Sequence, residues 1–204
     1  MCYNANVSIG TFLFVGVIGI YLWRRDRGLD RPLALMLGVV AIMQLLEWGL
    51  WLNLRCGLVN KLITGLIPVY LALQPVALNY IVGAYDAGWG AYYKEIAAFV
   101  AATLVPFQAY RSWTAGTRCT STDADGHLVW NRGTPGPLSA ALYYPAMIYP
   151  FLTLKNTTFS LLYLGFSAAS HWRLKGGDKS GAWPSLWCHF VNTLAAFAVV
   201  SSSA

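Results

Sequence analysis

The chain of 204 residues is 57% hydrophobic and only 11% charged, with a mean hydropathy of +0.50. Ordinary soluble domains do not reach that balance, so a water-soluble globule is excluded; at about 20 residues per span the length holds seven or eight membrane crossings and no large separate catalytic domain. The net charge of +6 arises from 14 basic residues against 8 acids, and the basic residues sit at the ends of apolar runs rather than in one stripe, which points to membrane topology and away from nucleic acid.

Seven apolar runs follow in order, each bounded by charges, Gly or Pro. The first, 7–23, ends at Arg24, Arg25 and Arg27 and lacks both a preceding basic residue and a following cleavage site, so it reads as a retained helix rather than a signal peptide. The second, 33–54, is opened by Pro32 and closed by Arg55, Cys56 and Gly57. The third, 62–84, carries Pro68 and Pro75, which a membrane helix tolerates when neighbours satisfy the freed carbonyls. The fourth, 95–113, contains Pro106 and Gln108 and leads into the polar loop 114–137. There the turn-forming Asp123 to Gly126 lies between β-prone Cys119 to Thr122 and His127 to Trp130, which predicts a small hairpin capping the bundle. Runs five and six, 138–154 and 158–172, are short for spans; Pro145 and Pro150 interrupt the fifth, so one of the two is open to a re-entrant reading. The seventh, 186–201, closes the series.

The densest basic cluster in a short loop is Arg24, Arg25, Arg27 and Arg31, which places that loop in the cytoplasm and the N-terminus on the extracytoplasmic or lumenal side. Counting every loop weakens the bias, with six basic residues inside and eight outside. With seven spans, Cys2, Cys56, Cys119 and Cys188 all fall on the N-terminal side, where an oxidising compartment would allow two disulfides in any of three pairings. Four separate buried thiols are the competing reading.

Glu47 is the one charged residue well inside an expected span, seven residues or roughly 10 Å from its outer end at 1.5 Å per residue. An acid at that depth must face the bundle interior, be protonated or touch water. Gln44, Glu47, Trp48 and Trp51 recur at i, i+3, i+4 and i+7, so an amide, a carboxyl and two indoles share one helical face. That face is a candidate lining for a polar cavity; the competing reading is polar glue between helices. Gln74 before Pro75, with Asn79 one turn on, adds two amides and freed carbonyls, as in the broken helices of transporters or as a plain kink. His171, His189 and His127 belong to the same outer side as Glu47, where they would serve a proton relay or, for the first two, merely anchor span ends. No C-x-x-C spacing supports zinc, and none of the phosphate-loop, dinucleotide, zincin or hydrolase-elbow motifs occurs. The last run has no lysine for a retinal Schiff base.

Met1-Cys2-Tyr3-Asn4 with Val7-Ser8, then Gln44-Leu45-Leu46-Glu47-Trp48, Gln74-Pro75 and Leu186-Trp187-Cys188 together resemble uncharacterised multi-span membrane proteins of large DNA viruses and unicellular eukaryotes. The resemblance runs over most of the chain in short patches. It implies a multi-span membrane protein and brings no catalytic residue with it. His189 departs from the aromatic residue expected after Cys188, which sets the resemblance apart from any role for that histidine.

The expectation is therefore an all-α, polytopic membrane protein: one domain of about seven transmembrane helices with a small extramembrane hairpin between helices four and five. Its expected function is a channel or transporter whose proton-linked cavity is formed by Glu47, Gln44, Trp48, Gln74, Asn79, His171 and His189. The alternative is an accessory or assembly subunit of a larger membrane complex, in contact with lipid or pigment and without transport. Lipid, and membrane proteins or further copies of the chain, are the expected partners; no enzyme chemistry, cofactor or metal is indicated.

Overall fold

Asn4 starts the first helix by accepting the Val7 N–H on its side-chain oxygen at 3.0 Å, an N-cap that satisfies one of the otherwise orphaned amides. In the computed structural model, residues 4–85, 90–114, 118–124, 126–130, 137–153 and 187–201 are described, with backbone alone at 137–140, 151–153, 187–191 and 201. Their elements are α1 (Ala5–Arg25), α2 (Asp30–Leu52), α3 (Leu58–Tyr85), α4 (Gly90–Thr114), β1 (Ser121–Thr122), β2 (Leu128–Val129), α5 (Pro137–Thr153) and α6 (Trp187–Ser201). The protein is mostly helical, and α1, α2 and α3 are long and apolar enough to cross a membrane, with mean hydropathies of 1.9, 1.9 and 1.5.

The chain reverses between α1 and α2 through two left-handed residues, Asp26 and Gly28, both at φ 50°. Asp30 sits at the start of α2, fully buried, and takes two hydrogen bonds of 2.7 Å from the Arg25 guanidinium and one of 3.0 Å from the Arg27 amide. Arg25 also donates to the Val199 carbonyl of α6 at 2.9 Å, so one fork ties three helices together at this end. The Arg31 to Asp26 pair beside it is solvent-exposed and worth little by comparison.

Neighbouring helices pack as α1 on α2, α2 on α3, α3 on α4, α5 on α3 and α4, and α6 on α1 and α2. Between α3 and α4 the backbones meet at Gly83 and Gly90; a Cβ on Gly90 would stand 2.6 Å from the Gly83 carbonyl, so no larger residue fits without moving a helix. Side-chain bonds fix the directions. Asn192 donates to Thr11 at 3.0 Å and Arg25 reaches Val199, so α6 runs parallel to α1. Tyr143 meets Gln74 and Asn79 meets Ala146, so α5 runs parallel to α3. One end of the bundle thus carries Asn4 and the 53–57 connection, and the other carries Arg25; these are called the Asn4 face and the Arg25 face below.

The helices extend two to five residues ahead of runs one to four, because polar first-turn residues such as Asp30, Asn60 and Lys94 are helical without being apolar. Run five is a single helix through both prolines. The physical reason lies on α3: Pro150 has no N–H for the Ala146 carbonyl four residues earlier, and Asn79 Nδ2 supplies that hydrogen bond at 2.8 Å. Run six, 158–172, lies outside the described residues. Large apolar side chains point away from the bundle on α1 (Leu13, Phe14, Val17, Ile20), α3 (Leu62, Leu66) and α4 (Phe99, Trp113), an exposure that water would penalise and lipid does not.

Candidate functional site

Spacing of three on α2 puts Gln44 and Glu47 on its inward side, and both are buried, at 1% and 0% exposure. Trp48 and Trp51, on the flank of the same face, are half-buried. Around Glu47 lie Met43 and Leu50 of α2, which pack with Ile67 of α3 and Leu128 of β2 in one apolar cluster that Trp51, Tyr70 and Trp130 border. The carboxyl therefore occupies the bundle interior near the Asn4 face, five residues or roughly 8 Å of helix rise before Leu52. The indole N–H groups of Trp51 and Trp130 are both buried with no acceptor among the described residues.

The roof of this site is the segment between α4 and α5. Ser121 pairs antiparallel with Val129 and Thr122 with Leu128, around a turn in which Asp123 accepts the His127 amide at 2.7 Å. Two devices pin it to α3 and to the connection just before it. Cys56 and Cys119 form a disulfide. Beside it, Asn60 donates to the carbonyls of Asn53 at 2.8 Å and Thr120 at 3.0 Å and accepts the Thr120 amide at 2.9 Å. Thr64 completes the knot, bonding Asn60 Oδ1 at 3.0 Å and the Thr120 hydroxyl at 2.8 Å; all three side chains are buried.

Gln74 and Asn79 do not join Glu47. Gln74 lies ten residues beyond Thr64 along α3, roughly 15 Å of rise toward the Arg25 face. There Gln74 Oε1 accepts the Tyr143 hydroxyl at 3.3 Å, while Asn79 Nδ2 is shared between the Pro75 and Ala146 carbonyls at 2.8 Å each. Tyr70, one turn before Gln74, donates to the Val39 carbonyl and so links α3 to α2. The expected single lining is thus two polar levels, one at Glu47 and one at Gln74 and Asn79. His127 is buried in the roof, close in sequence to the strand that packs over α2. His171 lies outside the described residues, and so do the side chains of His189, Cys2 and Cys188. Among the described residues no three His, Cys, Asp or Glu side chains gather as a metal site.

Tyr70, Tyr143, Asn60, Thr64 and Thr120 are the polar participants that sequence reasoning passed over. Tyr70 and Gln74 were detectable in principle, being four apart on a helix; the Asn60 to Thr120 contact spans 60 residues and leaves no local trace. No protein-family model, curated protein or solved structure matches the chain.

Proposed function

We propose that the chain is a seven-span membrane protein in which Glu47 is the charge-accepting group of a channel or transporter for protons or a small cation. The observation that carries this reading is the complete burial of the Glu47 carboxyl beside Gln44, inside the bundle, on a helix long and apolar enough to cross a membrane. An intramembrane acid is costly and is retained by default for a pathway, a relay or a counter-ion. Trp48 supplies an aromatic wall suited to cation–π contact, and Gln44 a neutral hydrogen-bonding group.

Helix direction supports the seven-span reading: α5 and α6 both run from the Asn4 face to the Arg25 face, and the apolar run 158–172 between them has a sequence suited to a crossing in the opposite sense. Orientation has two independent supports. The Cys56–Cys119 disulfide belongs to the Asn4 face and favours an oxidising compartment there, while Arg24, Arg25, Arg27 and Arg31 belong to the opposite face and favour the cytoplasm. The N-terminus is accordingly extracytoplasmic or lumenal. With Cys56 and Cys119 paired, Cys2 and Cys188 remain as the second candidate pair, each preceding or opening one of two parallel, hydrogen-bonded helices.

An accessory subunit without transport is the second reading, favoured by the fact that Gln74 and Asn79 are both engaged in tying α3 to α5. Reconstitution separates the two. In proteoliposomes loaded with a pH-sensitive dye, the wild-type chain is expected to dissipate an imposed proton or cation gradient. Glu47→Gln, similar in volume and uncharged, is expected to abolish that flux while melting as the wild type does. Flux unchanged by the substitution removes Glu47 from the mechanism; absence of wild-type flux together with fixed partners in mild detergent favours the accessory role.

A further inference from the structure

A groove of about 280 Å³ runs along the outside of the bundle between α1 and α2, from Val15 to Arg24, and we infer that it holds one acyl chain of an anionic phospholipid whose phosphate sits on Arg24. This requires only that α1 and α2 cross a membrane, and it is independent of any role for Glu47.

The floor of the groove is glycine: Gly16 and Gly19 on α1, Gly38 on α2. Glycine inside a helix costs about 0.5–1 kcal/mol relative to alanine, and close helix contact is the usual compensation. It is absent at two of these three positions. A Cβ at Gly16 or Gly38 would meet no atom within 4 Å, and only Gly19 comes near its neighbour, at 3.6 Å from the Ala34 carbonyl. The two open glycines therefore keep a channel free on the lipid-facing side rather than bringing the helices together.

Depth and charge identify the occupant. From Val15 to Arg24 is nine residues, about 14 Å of helix rise, which matches one leaflet of a hydrocarbon core about 30 Å thick. Ile20 and Leu35 form apolar walls, and Trp23 and Arg24 close the groove where α1 ends. Of the arginines at that end, Arg25 is committed to Asp30 and Arg31 to Asp26, with the Arg31 guanidinium also 5.3 Å from the Trp23 ring. Arg24 is exposed and has no ion pair among the described residues. A free guanidinium beside an indole at the mouth of an apolar slot is complementary to a phosphodiester head on a fatty chain. A neighbouring helix would place apolar surface, not an anion, at Arg24.

The test uses the delipidated full-length chain in mild detergent, titrated with phosphatidylglycerol or phosphatidylcholine and read by native mass spectrometry. One retained phosphatidylglycerol per chain is expected, with a preference over phosphatidylcholine of about fivefold, the effect of one basic residue at an anionic surface. Arg24→Gln is expected to erase the preference and keep the weaker binding. Gly16→Leu, at a position where an added Cβ has no atom within 4 Å, puts a side chain into the slot and is expected to lose both lipids at unchanged melting temperature. Arg27→Gln, an exposed arginine outside the groove, leaves retention as in the wild type. Undiminished phosphatidylglycerol retention in Gly16→Leu, equal competition by soluble glycerophosphate, or a wild-type dimer that Gly16→Leu dissociates without altering lipid retention would each overturn the inference.

Discussion

Asp30→Ala is expected to destabilise the bundle by about 3–5 kcal/mol, the cost of removing one member of a buried ion pair. Asp30 is fully buried and the Arg25 side chain is 10% exposed, so the guanidinium left behind has little access to water. The loss extends beyond the pair. The Arg27 amide loses its acceptor at the start of α2, and Arg25, freed from its fork, no longer has a fixed position from which to hold the Val199 carbonyl of α6. For a chain of this length the melting temperature in detergent should fall by roughly 10 °C. Asp30→Asn keeps an acceptor for the amide and one contact to Arg25, so its effect should be distinctly smaller. A thermal melt of Asp30→Ala indistinguishable from the wild type would show that this end of the bundle is held by something else.

Asn60→Leu is expected to undock the roof over Glu47. Leucine has the same branched shape, yet it leaves the buried Thr120 carbonyl and the part-buried Asn53 carbonyl without their donor and deprives the buried Thr120 amide of one acceptor, at about 1–3 kcal/mol for each buried group left unsatisfied. The disulfide keeps the segment tethered but does not position it, since Thr120 is seated by Asn60 and Thr64. The measurable result is faster tryptic cleavage after the exposed Arg118, added from the Asn4 face, with the Cys56–Cys119 link intact. Thr64→Val, which removes only the hydroxyl, should give an intermediate rate. Cleavage unchanged in Asn60→Leu would mean that the disulfide and the Leu128 contact suffice to seat the segment.

The two substitutions mark where the sequence was legible and where it was not. The helices α1 to α3 were visible because hydropathy over twenty residues is a sum to which every residue contributes, and no single misreading changes it. Glu47 stood out as a lone acid in such a sum, and helical spacing placed Gln44 with it. Depth along neighbouring helices is another matter. Gln74 and Asn79 share a chemistry with Gln44, but only the α2 to α3 packing reveals that they lie on a different level, where Asn79 compensates a proline on α5. Sequence shows the arginine cluster after α1 only as a run of charge; that Arg25 belongs to a buried fork depends on the left-handed turn at Asp26 and Gly28, which brings Asp30 back beside it. Four cysteines allowed three pairings, and the choice of Cys56 with Cys119 came from the fold, through a contact 63 residues apart in sequence.

The most direct test of the central claim leaves the sequence untouched. An apolar carbodiimide, which adds to a protonated carboxyl shielded from bulk water, is applied to the wild-type chain in proteoliposomes while gradient dissipation and peptide mass are followed together. The account predicts an adduct on the peptide bearing Glu47 and a flux that falls in proportion to its occupancy, with Glu47→Gln acquiring no adduct there. Complete modification of Glu47 with the flux undiminished would contradict it.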